Sequence, residues 1–278
     1  MIKTTIRFLN SKKYSNTRRI HIKHKKTARQ QLLFFLGAIL VFFVALSQVN
    51  IDFSYLQKGV GKINMLLLEL SSPNLSALPA FLFGLMETLS IAFVGLAVSA
   101  TIALPLVFLS ASNTSPNKTL AKGIRLIMVI VRAVPITIWG LIAAASVGFG
   151  SLAGILGLFF PITAYLVRTL TNRVEENSNE VIEALQSTGA TWLQVMLKGV
   201  FIQIYPQFLA SITLRYEMNV AEVVSLGMVG IAGIGYRLNM SISMYDFNTA
   251  STGIIIVYCT MLLLEIISKR IVIKIKGV

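Results

Sequence analysis

Cysteine, histidine and acidic side chains are all scarce in this sequence, and each scarcity removes a class of function. The single cysteine, Cys259, cannot form an intrachain disulfide and lies in an apolar stretch near the C-terminus. The only two histidines, His21 and His24, sit in a basic segment without a cysteine or carboxylate set beside them, so the ligand spacing of a zinc site is missing. Acidic residues number 11 against 25 lysines and arginines. They form no Ser-His-Asp set and no metal-spaced carboxylate pair, so no catalytic residue or metal ligand is expected. A complete phosphate-binding loop is missing too: Gly59-Val60-Gly61-Lys62 matches its second half, but Leu56 stands where the first glycine belongs. The chain is therefore expected to bind no ATP and no cofactor of its own, and not to be an enzyme by itself.

What is abundant is apolar sequence. Of the 278 residues 55% are hydrophobic and the mean hydropathy is +0.75, too little polarity to cover a water-soluble globule of this size. A helix needs roughly 20 apolar residues to cross the hydrocarbon core, where every backbone polar group must be paired internally. Six stretches qualify: Leu32 to Val49, Met86 to Ser110, Ile127 to Val147, Leu152 to Leu170, Phe208 to Met228 and Thr249 to Ile267. Between the first two, residues 50–85 are mixed, and the Leu66 to Leu70 run is short and contains Glu69; this segment is expected to lie at the external interface. The fold class is an all-α polytopic membrane protein with about six transmembrane helices.

A net charge of +14 raises the question of nucleic acid, and its placement answers it. Ten lysines and arginines from Lys3 to Arg29 precede the first apolar stretch with no acidic residue among them. The positive-inside rule puts this tail, residues 1–31, in the cytoplasm. Six spans return the C-terminus, with Lys269, Arg270, Lys274 and Lys276, to the same side. Lys118, Lys122 and Arg125, and then Arg173 and Lys198, fall in connections on that side, whereas the external loops hold only Lys58, Lys62 and Arg237. Topology and contact with anionic membrane lipid account for the charge without nucleic acid. The basic head, apolar run and small pair Ala45 and Ser47 have the outline of a signal peptide, but the run is long enough to remain as the anchor over 32–49.

The connection 171–207 sets the chain apart from a generic membrane protein, since links between packed helices are usually about two to eight residues. Asn177 to Ser187 reads as a short helix capped by Ser178, with Val181, Ala184, Leu185 and Thr188 on one weakly apolar face. Gly189 then breaks it, and a second helix runs from the capping Thr191 to Phe201. Two short helices hinged at a glycine suit docking better than catalysis.

Glu183-Ala184-Leu185 followed by Gly189 resembles the cytoplasmic coupling loop of permease subunits in ATP-binding-cassette (ABC) importers. In that family the loop sits in a groove of the ATPase subunit. Downstream the family favours a Leu-Pro pair where this chain has Gly199-Val200-Phe201-Ile202; Pro206 is the nearest residue able to bend the chain. Gly189-Ala190, Gln194-Val195, Gly199-Val200, Gln203 and Pro206-Gln207-Phe208 are similar to the phosphonate-transport permeases. So are Arg215-Tyr216-Glu217, Asn219-Val220, Leu226-Gly227, Val229-Gly230 and Gly233-Ile234-Gly235, and upstream Glu87-Thr88-Leu89, Ala103-Leu104-Pro105-Leu106, Arg132-Ala133-Val134-Pro135 and Gly148-Phe149-Gly150. Ala221 and Ile231-Ala232 depart from that subgroup. The resemblance implies a binding-protein-dependent importer permease over 86–278, with five core spans plus the N-terminal one, in the cytoplasmic membrane of a prokaryote. It also implies the partners: two ATPase subunits that use ATP and Mg, an extracytoplasmic substrate-binding protein, and a second copy of this permease. The expected coupling residues are Glu183, Ala184, Leu185, Gly189, Ala190, Gln194 and Gly199. The implied cargo is a small anion such as a phosphonate.

Within the spans the costly residues are the candidates for the path. Arg215, Asn219 and Glu222 fall at i, i+4 and i+7 on one stripe of the fifth span, where pairing can neutralise Arg215; Glu217 points about 200° away from Arg215. Intramembrane charge of this kind either lines a pathway or joins helices together. Arg132, in the third span, is a further cation for an anionic cargo. Gly227, Gly230, Gly233 and Gly235 allow close helix packing or an unwound gate. Their spacing is not the dinucleotide fingerprint. Pro105, Pro135 and Pro161 are candidate hinges. On the residues alone an ion- or proton-coupled carrier, with Glu217 and Glu222 as proton relays, stays open, as does a non-transporting scaffold.

Overall fold

The computed structural model describes residues 25–49 and 53–276; the basic head before Lys25 lies outside the described residues. Every regular element among the described residues is helical, as a hydrocarbon solvent requires of a chain that closes no barrel. Two units divide the chain, Met1–Gly61 and Lys62–Val278. In the first, helix α1 (Lys25–Gln48) contains a 20-residue apolar run, Arg29–Gln48, long enough to cross a bilayer. Helix α2 (Phe53–Leu70) begins in this unit, and a 3₁₀ turn at Leu75–Ala77 follows it in the second.

The second unit continues with α3 (Leu78–Ser110), α4 (Lys118–Ala133), α5 (Ile136–Val147), α6 (Ser151–Asn177), α7 (Asn179–Ser187), α8 (Trp192–Gln194), α9 (Phe201–Met228), α10 (Ile234–Ser243) and α11 (Phe247–Lys276). Helix α3 starts at Leu78 rather than Met86. Pro79 at its first turn is pre-set for helix, and Phe81 is buried as soon as the helix forms. At 33 residues α3 is about 50 Å long, well beyond the ~30 Å hydrocarbon core.

Helix α6 is the hub, packing on α3, α4, α5 and α9. Its Leu158, Ile162, Leu166, Val167 and Leu170 recur at helical spacing and are buried against Ala92, Leu96, Ala103 and Val107 of α3. Small residues set how close the helices come. A Cβ on Gly157 would lie 2.7 Å from the Gly140 Cα, so α5 and α6 touch backbone to backbone.

Two sequence expectations need correction. The stretch Ile127 to Val147 is not one straight helix: α4 and α5 meet at a 90° bend, so among the described residues five helices are individually long and apolar enough to cross a membrane, and the bent pair, taken as one broken span, makes six. The cause is Pro135, which forces the preceding Val134 into extended backbone (φ −87°, ψ 124°). The connection 171–207 is also shorter than its polarity suggests. α6 runs on to Asn177, and α8 passes through a π-helical turn, Val195–Val200, directly into α9, leaving only residues around α7 outside a long helix. Helix α9 also runs unbroken through Pro206.

Candidate functional site

The polar hairpin after α6 packs as a knob with one face in and one face out. Val181 and Leu185 of α7 lie on Gly199, where an added Cβ would come within 2.9 Å of Val181 Cγ1 and 2.5 Å of Leu185 Cδ1. Ile182 is buried beneath, while Glu183 and Ala184 are exposed. Gly189 closes α7 in left-handed backbone (φ +80°), which glycine adopts without steric cost. Thr191 and Gln194 form the capping box that starts α8, with the Thr191 N–H donating to Gln194 Oε1 at 2.9 Å. Ser178 is not the side-chain cap expected of it. Shared between the end of α6 and the start of α7, it holds φ −106° and ψ −1° rather than the extended geometry of a cap, and its buried hydroxyl has no partner.

The knob is tied to the bundle end formed by α3, α4 and α6. The Trp192 indole N–H donates to Thr114 O at 2.7 Å, Asn113 donates to Asn179 at 2.8 Å, and the Ser112 N–H donates to Glu175 at 2.7 Å. Arg125 pairs with Glu175 and donates to Ser110 O. The hairpin thus contacts the α3–α4 turn through hydrogen bonds and Gly199 through apolar packing.

In mid-bundle the α9 stripe assembles as its spacing implies. Arg215 Nη2 lies 2.6 Å from Glu222 Oε2, and the guanidinium stacks 5.1 Å from the Tyr165 ring of α6. Asn219 between them is fully buried with neither amide atom bonded. Glu217 is half-buried off this stripe. Arg132 is exposed in the last turn of α4, where a cation suits the helix C-terminus, and no hydrogen bond or ion pair joins it to the α9 stripe among the described residues. Across the break, the Trp139 indole N–H donates to Val131 O at 3.2 Å, satisfying a carbonyl freed at the end of α4.

The four glycines divide by position. Gly227 and Gly235 are contact points: a Cβ on Gly235 would fall 1.9 Å from Val224 O, and one on Gly227 would fall 2.6 Å from Ala232 O. Gly230 and Gly233 instead hold the turn between α9 and α10. At Gly233 (φ +85°) a Cβ would also strike Thr88 Oγ1 at 2.3 Å. Here lies a group that the sequence reading did not single out as functional. Glu87 accepts from Ser151 Oγ at 2.6 Å and from the Gly233 N–H at 3.3 Å, and Thr88 Oγ1 accepts from the Ile234 N–H at 2.9 Å. One two-residue step of α3 thus holds the start of α6 and the N-terminus of α10. Glu87 opens on a cavity of about 400 Å³ lined also by Phe149, Gly230, Tyr236 and Arg237. A carboxylate in the second apolar stretch was the available signal.

Residues 103–276 match the family described as "Binding-protein-dependent transport system inner membrane component". The chain is 29% identical over 222 residues to a putative phosphite transport system permease protein of Stutzerimonas stutzeri, covering 80% of this chain and 79% of the relative. It is 30% identical over 197 residues to a phosphate-import permease protein of Mycolicibacterium smegmatis, covering 70% of this chain and 37% of that one. Among solved structures, a chain of the inward-facing MetNI methionine ABC transporter superposes with a TM-score of 0.62 at 23% identity, over 70% of this chain and 95% of that chain. A chain of an amino acid ABC transporter crystallised with histidines gives 0.59 at 16% identity, over 83% and 100%. These two likenesses concern the fold.

Proposed function

The chain belongs to the family of binding-protein-dependent transport system inner membrane components, and from that premise we propose that it carries a small phosphorus oxyanion, a phosphonate or phosphite, inward across the cytoplasmic membrane. It is a multi-pass ABC importer permease, and membership of the family implies an ATPase and a binding protein as partners. In the reading proposed here two copies of the permease pair, two ATPase subunits bind ATP and Mg, and the basic head and the α7 knob face the cytoplasm. The names of the relatives, phosphite, phosphate and phosphonate permeases, support the cargo class.

One observation carries the mechanism: α7 is clamped by Leu185 and Val181 onto Gly199 while Glu183 stays free on the outer face. An ATPase groove closing on Glu183 and Ala184 moves α7 as a rigid lever, and the contact at Gly199 turns that movement into displacement of α9. The far end of α9 is its Gly227 contact with α10, whose N-terminus Glu87 and Thr88 hold. Displacing α9 at one end thus loosens the external turn at the other, which is the geometry of alternating access. Gln194 fixes the start of α8, and Gly189 and Ala190 set the hinge. Arg215, Asn219 and Glu222, with Arg132 and Glu217, are the proposed polar groups along the path; the paired state of Arg215 keeps that charge from trapping the cargo.

Copurification tests the assignment. The tagged permease is expected to retain its neighbouring ATPase in detergent, and Glu183→Arg is expected to release it without lowering membrane insertion. Retention unchanged by Glu183→Arg and by Gly189→Pro would remove the coupling role from this hairpin.

A further inference from the structure

We infer that a groove between α4 and α6, at the end of the bundle that carries α7, is a binding site for the phosphate of an anionic phospholipid. The groove encloses about 210 Å³. Arg125, Arg168 and Asn172 supply its polar side, and Met128, Val129 and Val167 its apolar wall. Two guanidinium groups therefore meet at the edge of an apolar trough, which is the complement of a headgroup phosphate with an acyl chain beside it.

The charges are available for a ligand. Arg125 commits Nε to Ser110 O and Nη2 to Glu175, which leaves Nη1. Arg168 makes no ion pair among the described residues, so the net charge of the Arg125, Glu175 and Arg168 group is +1. Asn172 lies one turn beyond Arg168 on the same face of α6 and adds an amide donor. Counted along the helices at 1.5 Å per residue, Arg125 is about 10 Å and Arg168 about 13 Å in from the α7 end. Arginines at that depth reach back to the headgroup layer while their stems stay in hydrocarbon. A free oxyanion shares this chemistry, but Met128, Val129 and Val167 give it nothing to bury, so the lipid is the occupant assigned. The site also touches the lever, since Glu175 holds both Arg125 and the Ser112 N–H next to the knob contacts. Naming the leaflet as cytoplasmic rests on the orientation proposed above, whereas lipid binding itself does not.

The test is native mass spectrometry of the full-length permease released from nanodiscs containing phosphatidylglycerol in a phosphatidylcholine background. Wild type is expected to retain phosphatidylglycerol preferentially, and Arg168→Gln to lose about tenfold of that preference, the effect of one charge-assisted hydrogen bond. Lys122→Gln removes the same charge from an exposed position of α4 outside the groove and is expected to behave as wild type. Equal loss in both variants would reduce the effect to general surface charge and overturn the site. A saturable, Arg168-dependent adduct with inorganic phosphate or methylphosphonate, undiminished by phosphatidylglycerol, would overturn the lipid assignment in favour of a soluble anion. Uptake by the assembled transporter is read separately, so loss of lipid preference with transport intact leaves the permease assignment standing.

Discussion

Adding a single methyl group at Gly199 tests the lever directly. The Cβ of Gly199→Ala would sit 2.5 Å from Leu185 Cδ1 and 2.9 Å from Val181 Cγ1, whereas carbon atoms in contact prefer about 3.5–4.0 Å. Roughly 1 Å must be taken up by the Leu185 side chain or by α7 moving off α9. Overpacking of this kind costs about 1–3 kcal/mol, and the whole of it falls on the contact proposed to transmit the stroke. Uptake per ATP hydrolysed, measured in proteoliposomes with the ATPase and binding protein, is expected to drop about tenfold in Gly199→Ala. Leu185→Ala alone leaves a looser contact and a smaller loss. The double variant Leu185→Ala/Gly199→Ala regains space and is expected to recover most of the coupling, giving an interaction energy of about 1 kcal/mol or more in the cycle. Additive losses, or full coupling in Gly199→Ala alone, would refute transmission through this contact.

Three other perturbations separate stability from gating. Glu222→Gln strips the buried Arg215 of its counter-charge and is expected to destabilise the bundle by about 3 kcal/mol, seen as a lower thermal midpoint of the purified permease, whereas Arg215→Met with Glu222→Leu is expected to be milder. Glu87→Gln weakens the hold on Gly233 by about 1 kcal/mol, and in a Cys259→Ser background the buried reporter Ile231→Cys is expected to react about fivefold faster with an impermeant maleimide. Gly235→Ala drives a Cβ into the Val224 carbonyl, a backbone obstacle no rotamer relieves, and is expected to abolish accumulation of the protein in the membrane, read by immunoblot.

The helical class and most of the spans were legible because hydropathy alone decides what can cross a bilayer. The Arg215 to Glu222 pairing was legible too, since i and i+7 share a helix face. The 90° break at Val134 is hidden in the sequence, because both halves are apolar and a hydropathy window does not register direction; Pro135 marks a candidate hinge, and only its effect on Val134 reveals the break. The hairpin looks longer in the sequence than it is because the end of α6 is polar, although the helix continues to Asn177. The Glu87 network escaped notice for a different reason: its partners are a backbone N–H 146 residues away and a serine hydroxyl that no periodicity marks.

In the proposed mechanism a motor docked on α7 drives the transport path. Its most direct measurement is uptake of labelled phosphite or methylphosphonate into proteoliposomes that hold the permease, its ATPase and its binding protein, with and without ATP, for wild type and Glu183→Arg. Uptake that requires ATP and disappears in Glu183→Arg, with the variant still inserted, is the predicted result. Uptake driven by an ion gradient in the absence of ATP, or left intact by Glu183→Arg, would contradict it.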